Sequence, residues 1–142
     1  MLLERPGTAE RRGIVPLAAV RAHASCRIAP APGLPGTGVE LARLLESLLP
    51  PKPSLLVCDL NGESARAREW AFAISRLCGR LPDGNALEHP AALLGDTGAA
   101  SATLNVVLAT HWLRAGHVDR CIAMVWAAGV DGDRRALLLE RA

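Results

Sequence analysis

The sequence predicts a layered α/β domain in which helices pack on a mixed β-sheet that is largely buried and ends in a β-hairpin. Segments with strand and helix character alternate along most of the chain. Ser54–Leu60 has few polar residues, which is typical of a strand buried on both faces of a sheet. Arg120–Ala127 and Arg135–Glu140 have strand character, and the turn-rich segment Gly129–Asp133 between them predicts the hairpin.

The first third of the chain predicts two strands and one helix. Leu2–Glu4 and Val15–Ser25 have strand character and are separated by a polar turn that contains glycine. Ile28–Pro35 is rich in proline, which lacks the amide hydrogen that a helix or a central strand requires. The segment is therefore predicted to be a connector. Thr37–Glu40 has the spacing of a helix capping box, and the apolar stripe that follows predicts a helix that Pro50-Pro51 ends.

The middle of the chain predicts two further helices. Ala65–Leu77 is amphipathic, and Gly79 just beyond it favours a helix end. After a loop over Arg80–Asn85 and a short element at Ala86–Glu88, a long helix is predicted over Gly98–Ala115. Its first residues are small enough to let a neighbouring backbone come close, so we expect its first turns to be deeply packed.

Composition excludes several classes of function. The chain has 142 residues, and its 50% hydrophobic content suffices for one modest core, so residues 1–142 are expected to form a single domain. Lys and Arg outnumber Asp and Glu by only 16 to 14, which gives no basic field for nucleic acid. Polar residues within Gly98–Leu113 argue against a membrane span, and Met1–Pro6 does not resemble a signal peptide. We expect a cytoplasmic protein.

The four cysteines predict neither a zinc site nor a disulfide framework, because they lie far apart and form no C-x-x-C pair. We expect reduced and mostly buried thiols, with Cys58 and Cys121 inside apolar strands. Cys78 falls at a helix C-terminus, where the helix dipole disfavours a thiolate. Cys26, beside Arg27, is the least implausible nucleophile of the four.

Four short motifs occur in order and carry a family resemblance. They are Leu2-Leu3-Glu4 with Ala9, Arg12-Gly13 and Leu17-Ala18-Ala19-Val20; Cys58-Asp59-Leu60-Asn61-Gly62-Glu63-Ser64 with Glu69; Gly95-Asp96-Thr97-Gly98-Ala99-Ala100-Ser101; and Ala123–Gly132 with Ala136–Glu140. The first resembles a strand ending in Leu-Glu before Ala-x-x-Arg-Gly, the second a His-Gly-Thr-Gly-Thr loop with a downstream Glu, the third Gly-His-Thr-x-Gly-Ala-Ala-Gly, and the fourth a closing Ala-x-Val-Asn-Ser-Phe-Gly-Phe-Gly-Gly hairpin. Together they resemble the C-terminal half of a β-ketoacyl synthase, a member of the thiolase-like superfamily.

The resemblance also implies that the catalytic positions are degenerate. In that family a cysteine in the first half of the chain takes the acyl group, and two histidines stabilise the oxyanion and enolate that form during decarboxylation. The two histidines match Asn61 and Asp96, and the family's lysine matches Ala91. Asn61 could still donate a hydrogen bond, but a carboxylate at Asp96 would repel an enolate. No residue is therefore assigned as catalytic.

The same motifs supply candidates for lining a substrate pocket: Asn61, Gly62, Asp96, Thr97, Trp126 and Gly129. Trp126 is expected at the mouth of the closing hairpin, where its bulk would fill space for an acyl chain. Simpler roles compete with these assignments, because Asn61-Gly62 also fits a tight turn and Asp96 also fits a helix N-cap or first-turn anion.

Three functional hypotheses remain open. The first is a non-catalytic subunit or half-domain partner of an acyl-transferring condensing enzyme of fatty-acid or polyketide type. The second is the C-terminal half of an active 3-oxoacyl-acyl-carrier-protein synthase whose nucleophile lies on a missing or separate N-terminal half. The third is a binding or structural module without acyl chemistry. The first two imply a ketoacyl-synthase partner or a homo-oligomer, an acyl carrier protein as companion, and neither a metal nor an organic cofactor. A partner is expected because a lone half would leave the Gly98 helix and one sheet face exposed.

Overall fold

A mixed five-stranded sheet lies at the centre of the computed structural model, which describes residues 1–28, 36–49, 53–81, 86–115, 121–129 and 131–142. The strands are β1 Ala18–Arg27, β2 Leu55–Cys58, β3 Ala86–Glu88, β4 Ile122–Ala128 and β5 Asp133–Arg141. Their order across the sheet is β1-β5-β4-β2-β3. β2 is parallel to both β3 and β4, whereas β5 runs antiparallel to β4 and to β1. β4 and β5 form the predicted closing hairpin.

Helices cover both faces of this sheet. They are α1 Thr8–Arg11, α2 Val39–Glu46, α3 Ser64–Arg76, α4 Ala91–Leu94 and α5 Ser101–Arg114, with a short 3-10 helix over Gly98–Ala100 before α5. The apolar side chains of α2 and α3 pack with Leu56, Cys58, Met124 and Trp126 on one face. Those of α5 pack with Leu55, Val57, Ala123 and Val125 on the other face. Because β2 lies between these two cores, all four of its residues are buried, as its apolar run predicts.

The predicted strand at Leu2–Glu4 is wrong. Leu2 and Leu3 are 75% and 67% exposed, and the segment has no strand structure. In the described part of the chain no strand pairs with it, and an isolated extended segment gains no ladder hydrogen bonds. The chain instead turns into α1 a few residues later.

The capping box at Thr37–Glu40 is also wrong. Gly38 is the residue that precedes α2, with φ 69°, and no side chain caps the helix. A Cβ at Gly38 would lie 2.6 Å from the amide nitrogen of Ala73 and from the carbonyl oxygen of Glu69. Close approach of α3 therefore selects glycine at this position, and the packing of two helices outweighs the local capping signal.

The expectation that the first turns of the Gly98 helix are deeply packed is likewise wrong for this chain. Gly98, Ala99 and Ala100 are exposed, and burial on α5 begins at Asn105. The small residues still form a surface that a neighbouring backbone could approach closely. The proline-rich connector, apart from Ile28, the Pro50-Pro51 terminator and most of the loop over Arg80–Asn85 lie outside the described residues.

Candidate functional site

The two positions that match the family histidines are in contact. Asn61 follows the carboxyl end of β2, and Asp96 lies between α4 and the 3-10 helix. The side-chain amide Nδ2 of Asn61 donates a hydrogen bond of 2.7 Å to Asp96 Oδ2. We call Asn61 and Asp96 the outer pair. The structure thus brings together two residues that are 35 positions apart in the sequence.

Each member of the outer pair is also held by a backbone amide. Asn61 Oδ1 accepts a hydrogen bond of 3.1 Å from the Glu63 nitrogen, which closes a turn at Asn61-Gly62. Asp96 Oδ1 accepts one of 2.7 Å from the Gly98 nitrogen at the entry to the 3-10 helix. The hydrogen bonds from the Gly98 amide and from Asn61 hold the pKa of the Asp96 carboxyl below its ordinary value, so it is an anion at neutral pH.

Gly62 and Thr97 lie beside the outer pair. Gly62 has φ 91° and is exposed, with open space where a Cβ would be. Thr97 Oγ1 lies 2.9 Å from Ser101 Oγ, within hydrogen-bonding distance, so the Thr97 side chain is engaged with the first turn of α5. These four candidate residues therefore lie together beyond the carboxyl end of β2.

Trp126 is not at the mouth of the hairpin. It is 2% exposed and stacks on Trp70 of α3 with ring centroids 5.4 Å apart, inside the core that α2 and α3 form with the sheet. Alternation along β4 explains this placement, because Met124 and Trp126 point to the face opposite Ala123 and Val125. Gly129 follows β4 and is exposed.

A buried carboxylate lies two residues before Asn61 in the chain. Asp59 is 4% exposed, and its Oδ2 accepts hydrogen bonds from the Ala128 nitrogen at 2.7 Å and from Arg66 Nη1 at 3.1 Å. Burial raises the pKa of the Asp59 carboxyl despite these donors. Asp59 thereby joins the carboxyl ends of β2 and β4 to the first turns of α3.

A second buried ion pair fixes the closing hairpin. Arg134 of β5 contacts both carboxylate oxygens of Glu69 on α3, with its shortest bond, from Nη2 to Oε2, at 2.8 Å. Arg134 Nη1 also donates to the carbonyl oxygens of Gly129 and Asp133 at 3.1 and 3.0 Å. We call Asp59, Arg66, Glu69 and Arg134 the inner network. The sequence motif includes Glu69 but gives no sign of its partner, which lies 65 positions away.

The cysteines do not form a reactive centre. Burial raises the pKa of the Cys58 thiol to about 12, and burial is also the main cause that raises the pKa of Cys26. The expectation of mostly buried thiols is wrong, because Cys78 and Cys121 are exposed. Cys121 precedes β4 instead of lying inside it. The charge of Arg134 lowers the pKa of the Cys26 thiol, but burial outweighs it, so Cys26 does not have the depressed pKa of a catalytic thiol.

Within the described residues, no group of three or more His, Cys, Asp or Glu side chains is arranged to hold a metal ion. Nor does that part of the chain contain a helix both long and apolar enough to cross a bilayer.

No protein-family profile and no curated protein sequence matches the chain, but solved structures do. A chain from the complex of a type II polyketide synthase acyl carrier protein with its ketosynthase matches with a TM-score of 0.79 at 16% identity over 94% of this chain. The ishigamide ketosynthase/chain length factor matches with a TM-score of 0.81 at 14% identity over 96%. A thiolase from Ascaris suum solved with coenzyme A matches with a TM-score of 0.67 at 20% identity over 97%.

These likenesses establish the fold. The chain has the thiolase-like fold of ketosynthases, and the resemblance seen in its motifs is confirmed at that level, as is the prediction of a mixed sheet with helices packed on it. This chain corresponds to 41%, 41% and 34% of the length of those three chains, so it spans less than half of each structure that it resembles.

Proposed function

We propose that this chain is a non-catalytic, ketosynthase-like subunit of polyketide-type or fatty-acid-type metabolism that acts by packing against a ketosynthase partner. The observation that supports this most strongly is the hydrogen bond between Asn61 and Asp96. The cytoplasm is the proposed location, and an acyl carrier protein is the proposed companion of the assembly.

The outer pair is poorly suited to condensation chemistry. A malonyl thioester that loses carbon dioxide leaves an enolate, which needs hydrogen-bond donors at the developing negative charge. The side-chain amide of Asn61 is the donor at the position that matches the first family histidine, and one of its hydrogens already bonds to Asp96. The Asp96 carboxylate would repel an enolate bound beside it, because like charges disfavour each other. Loss of both histidines therefore leaves a closed polar pair instead of an oxyanion hole.

A partner would bury the apolar surface that α4 and α5 leave exposed. Leu93 and Leu94 of α4 are 91% and 57% exposed, and Val107 of α5 is 44% exposed. The small residues Gly98–Ala100 lie between them in the chain and are exposed as well. Exposed apolar surface marks an interaction site in many soluble proteins. A ketosynthase subunit or a second copy of this chain would cover it.

The alternative is that the chain is the C-terminal half of an active synthase whose cysteine lies on a separate N-terminal half. The observation that favours it is coverage, since the chain spans only 41% of the ketosynthase complex chain that it matches. In that case Asn61 would need to exchange its bond to Asp96 for one to substrate.

Malonyl-thioester decarboxylation tests the chemical part of the proposal. We expect the chain to release no carbon dioxide from malonyl-acyl carrier protein, either alone or after Asp96→Asn. Decarboxylation by the unmodified chain that disappears in Asn61→Ala would contradict the proposal. Activity that emerges only when an N-terminal ketosynthase half is added would favour the alternative.

Two surface variants test the packing part. Val107→Glu places a charge on the α5 face, whereas Phe72→Glu places one on α3 at the same 44% exposure on the opposite side of the sheet. Gel filtration with light scattering would follow self-association and association with a type II ketosynthase that lacks its chain length factor. We expect Val107→Glu to weaken the complex at least tenfold and Phe72→Glu to leave it unchanged. Equal behaviour of both variants would refute the assigned surface.

A further inference from the structure

The outward face of α3 combines an exposed aromatic ring with positive charge. Arg68, Phe72 and Arg76 follow one another one helical turn apart, so they lie along the same face of the helix. All three side chains are exposed, and Phe72, the only phenylalanine of the chain, is 44% exposed. We call Arg68, Phe72 and Arg76 the α3 stripe.

The ring of Phe72 is accessible although the base of its side chain is fixed. A Cβ at Gly38 would lie 2.8 Å from the Phe72 Cβ, so Phe72 starts against the residue that precedes α2. Ser75 Oγ and Arg76 Nη1 donate hydrogen bonds of 2.9 and 2.8 Å to the Phe72 carbonyl oxygen. Ala71 and Ser75, the exposed helix residues beside the stripe, are small. A partner can therefore reach the ring without displacing a large side chain of α3.

The charge of the α3 stripe is not neutralised by the chain itself. Glu69 is the only acidic residue of α3, and it is buried. Among the residues that the structure describes, neither Arg68 nor Arg76 takes part in an ion pair. Three glutamates of α2, of α3 and of the residue before α3 are instead paired with other arginines, as Glu46–Arg80, Glu63–Arg66 and Glu69–Arg134. The exposed face of α3 therefore carries two positive charges and no negative one.

This charge pattern determines the kind of partner that fits. A second copy of the chain that used the same face would bring arginine against arginine, which like charges disfavour. Two arginines around one ring are too few for nucleic acid or an acidic membrane, both of which attract larger clusters of basic residues. A helix with an apolar side chain flanked by carboxylates one turn away on either side complements both the ring and the charges. We propose that the α3 stripe is a docking site for an acidic amphipathic helix of a different protein.

The docking site is separate from the surface assigned to a ketosynthase subunit or a second copy. That surface belongs to α4 and α5, and α5 packs on the face of the sheet opposite α3. It exposes apolar side chains such as Leu93 and Val107, whereas the α3 stripe is charged. Two surfaces of different chemistry would let the chain contact two different proteins at once. Either interaction can be lost without the other, so the two proposals can fail separately.

NMR chemical-shift mapping with a synthetic helical peptide tests the docking site. The peptide carries a central leucine with a glutamate one turn before it and one turn after it, and a peptide of the same composition in scrambled order is the control. We expect the designed peptide to shift the amide signals of α3 at lower concentration than the scrambled one does. Binding should weaken as the salt concentration rises. No shift on α3, or equal affinity for the two peptides, would overturn the proposal.

Exchange of charges between chain and peptide provides the sharper test. The double variant Arg68→Glu with Arg76→Glu should bind the designed peptide about tenfold more weakly, because carboxylates then face carboxylates. A peptide with lysines in place of both glutamates should show the reverse preference and bind the double variant more tightly than the unmodified chain. If the preference is not reversed, the α3 stripe is not the docking site.

Two single variants separate the ring from the charges. Phe72→Ser should weaken binding of the designed peptide to the unmodified charges, since the leucine loses its apolar contact. Arg114→Glu is the matched control, because Arg114 is an exposed arginine on α5, across the sheet from α3. It should leave binding of the peptide unchanged, and equal weakening by Arg114→Glu and by the double variant would show that net charge alone attracts the peptide. All four substituted residues are exposed, and circular dichroism would verify that each variant is folded.

Discussion

The outer pair and the inner network meet at the segment Asp59–Asn61 but lie in opposite environments. Asn61 and Asp96 meet at the surface through one side-chain hydrogen bond, and Asp96 is exposed. Asp59 and Glu69 are each 4% exposed and bind the guanidinium groups of Arg66 and Arg134. The outer pair occupies the positions that the motif resemblance matches to the family's histidines. The buried residues hold together the elements that support those positions.

The two aspartates make the difference measurable, because their environments shift the pKa in opposite directions. Burial raises the pKa of Asp59, and its hydrogen bonds only partly oppose that effect. Hydrogen bonds from Gly98 and Asn61 lower the pKa of Asp96, where burial is negligible. The comparison indicates that hydrogen bonding controls the charge of the aspartate at the surface, whereas burial controls that of the aspartate in the interior.

The largest effect is expected at Arg134. Arg134→Met removes the cation from a buried pair and leaves the Glu69 carboxylate without its donor, while the carbonyl oxygens of Gly129 and Asp133 keep their backbone donors. Breaking one partner of a buried ion pair typically costs about 3–5 kcal/mol. We therefore expect the free energy of unfolding to fall by about that amount, measured by denaturant titration.

Arg135→Met is the matched control, since Arg135 is the next residue of β5 but its side chain is 75% exposed. Its contact with Asp133 is a surface ion pair, and such pairs contribute about 0–1 kcal/mol. If the two variants were destabilised equally, Arg134 would not be the anchor of the hairpin.

An intermediate effect is expected in the contribution of Asp59 to the pH dependence of stability. Because its pKa is raised in the folded state, the folded chain binds a proton at a pH where the unfolded chain has lost it. The contribution of Asp59 to stability is thus full below its ordinary pKa and is lost as the pH rises through the raised pKa. Asp59→Asn removes this dependence.

The free energy of unfolding is measured against pH for the unmodified chain and for Asp59→Asn. The difference between the two profiles isolates the effect of Asp59 from that of the other carboxylates. We expect the unmodified chain to lose stability relative to Asp59→Asn as the pH rises from acid toward neutral. Parallel profiles would show that the Asp59 carboxyl titrates alike in the folded and unfolded states.

Local patterns in the sequence predict most of the sheet and of its helices. The apolar run at β2, the amphipathic stripe of α3 and the turn-rich hairpin each depend on residues that are close in the chain. The strand at Leu2–Glu4 was predicted wrongly because its apolar pattern is local, whereas a strand also needs a neighbour. The capping signal at Thr37 is likewise outweighed by the close contact of Gly38 with α3.

The candidate site was only partly predictable. The motif resemblance matches Asn61 and Asp96 to the two family histidines, and the structure adds the hydrogen bond between them. The burial of Asp59 could have been inferred from its place directly after a buried strand. The pairing of Glu69 with Arg134 could not, because no sequence pattern links a helix residue to a hairpin residue 65 positions away.

The smallest effect is expected at the outer pair, and it is best measured as a pKa. Asn61→Ala removes one of the two main hydrogen bonds that lower the pKa of Asp96, while the bond from the Gly98 amide remains. We expect NMR titration to show the Asp96 pKa rising toward its ordinary value, with little change in the unfolding midpoint, since exposed polar pairs contribute little to stability. Glu63→Gln is the control, because this substitution removes a charge from an exposed neighbour whose side chain is not hydrogen-bonded to Asp96. An unchanged Asp96 pKa in Asn61→Ala would mean that the pair is open in solution, and Asn61 would then be free to donate to a substrate, as the alternative function requires.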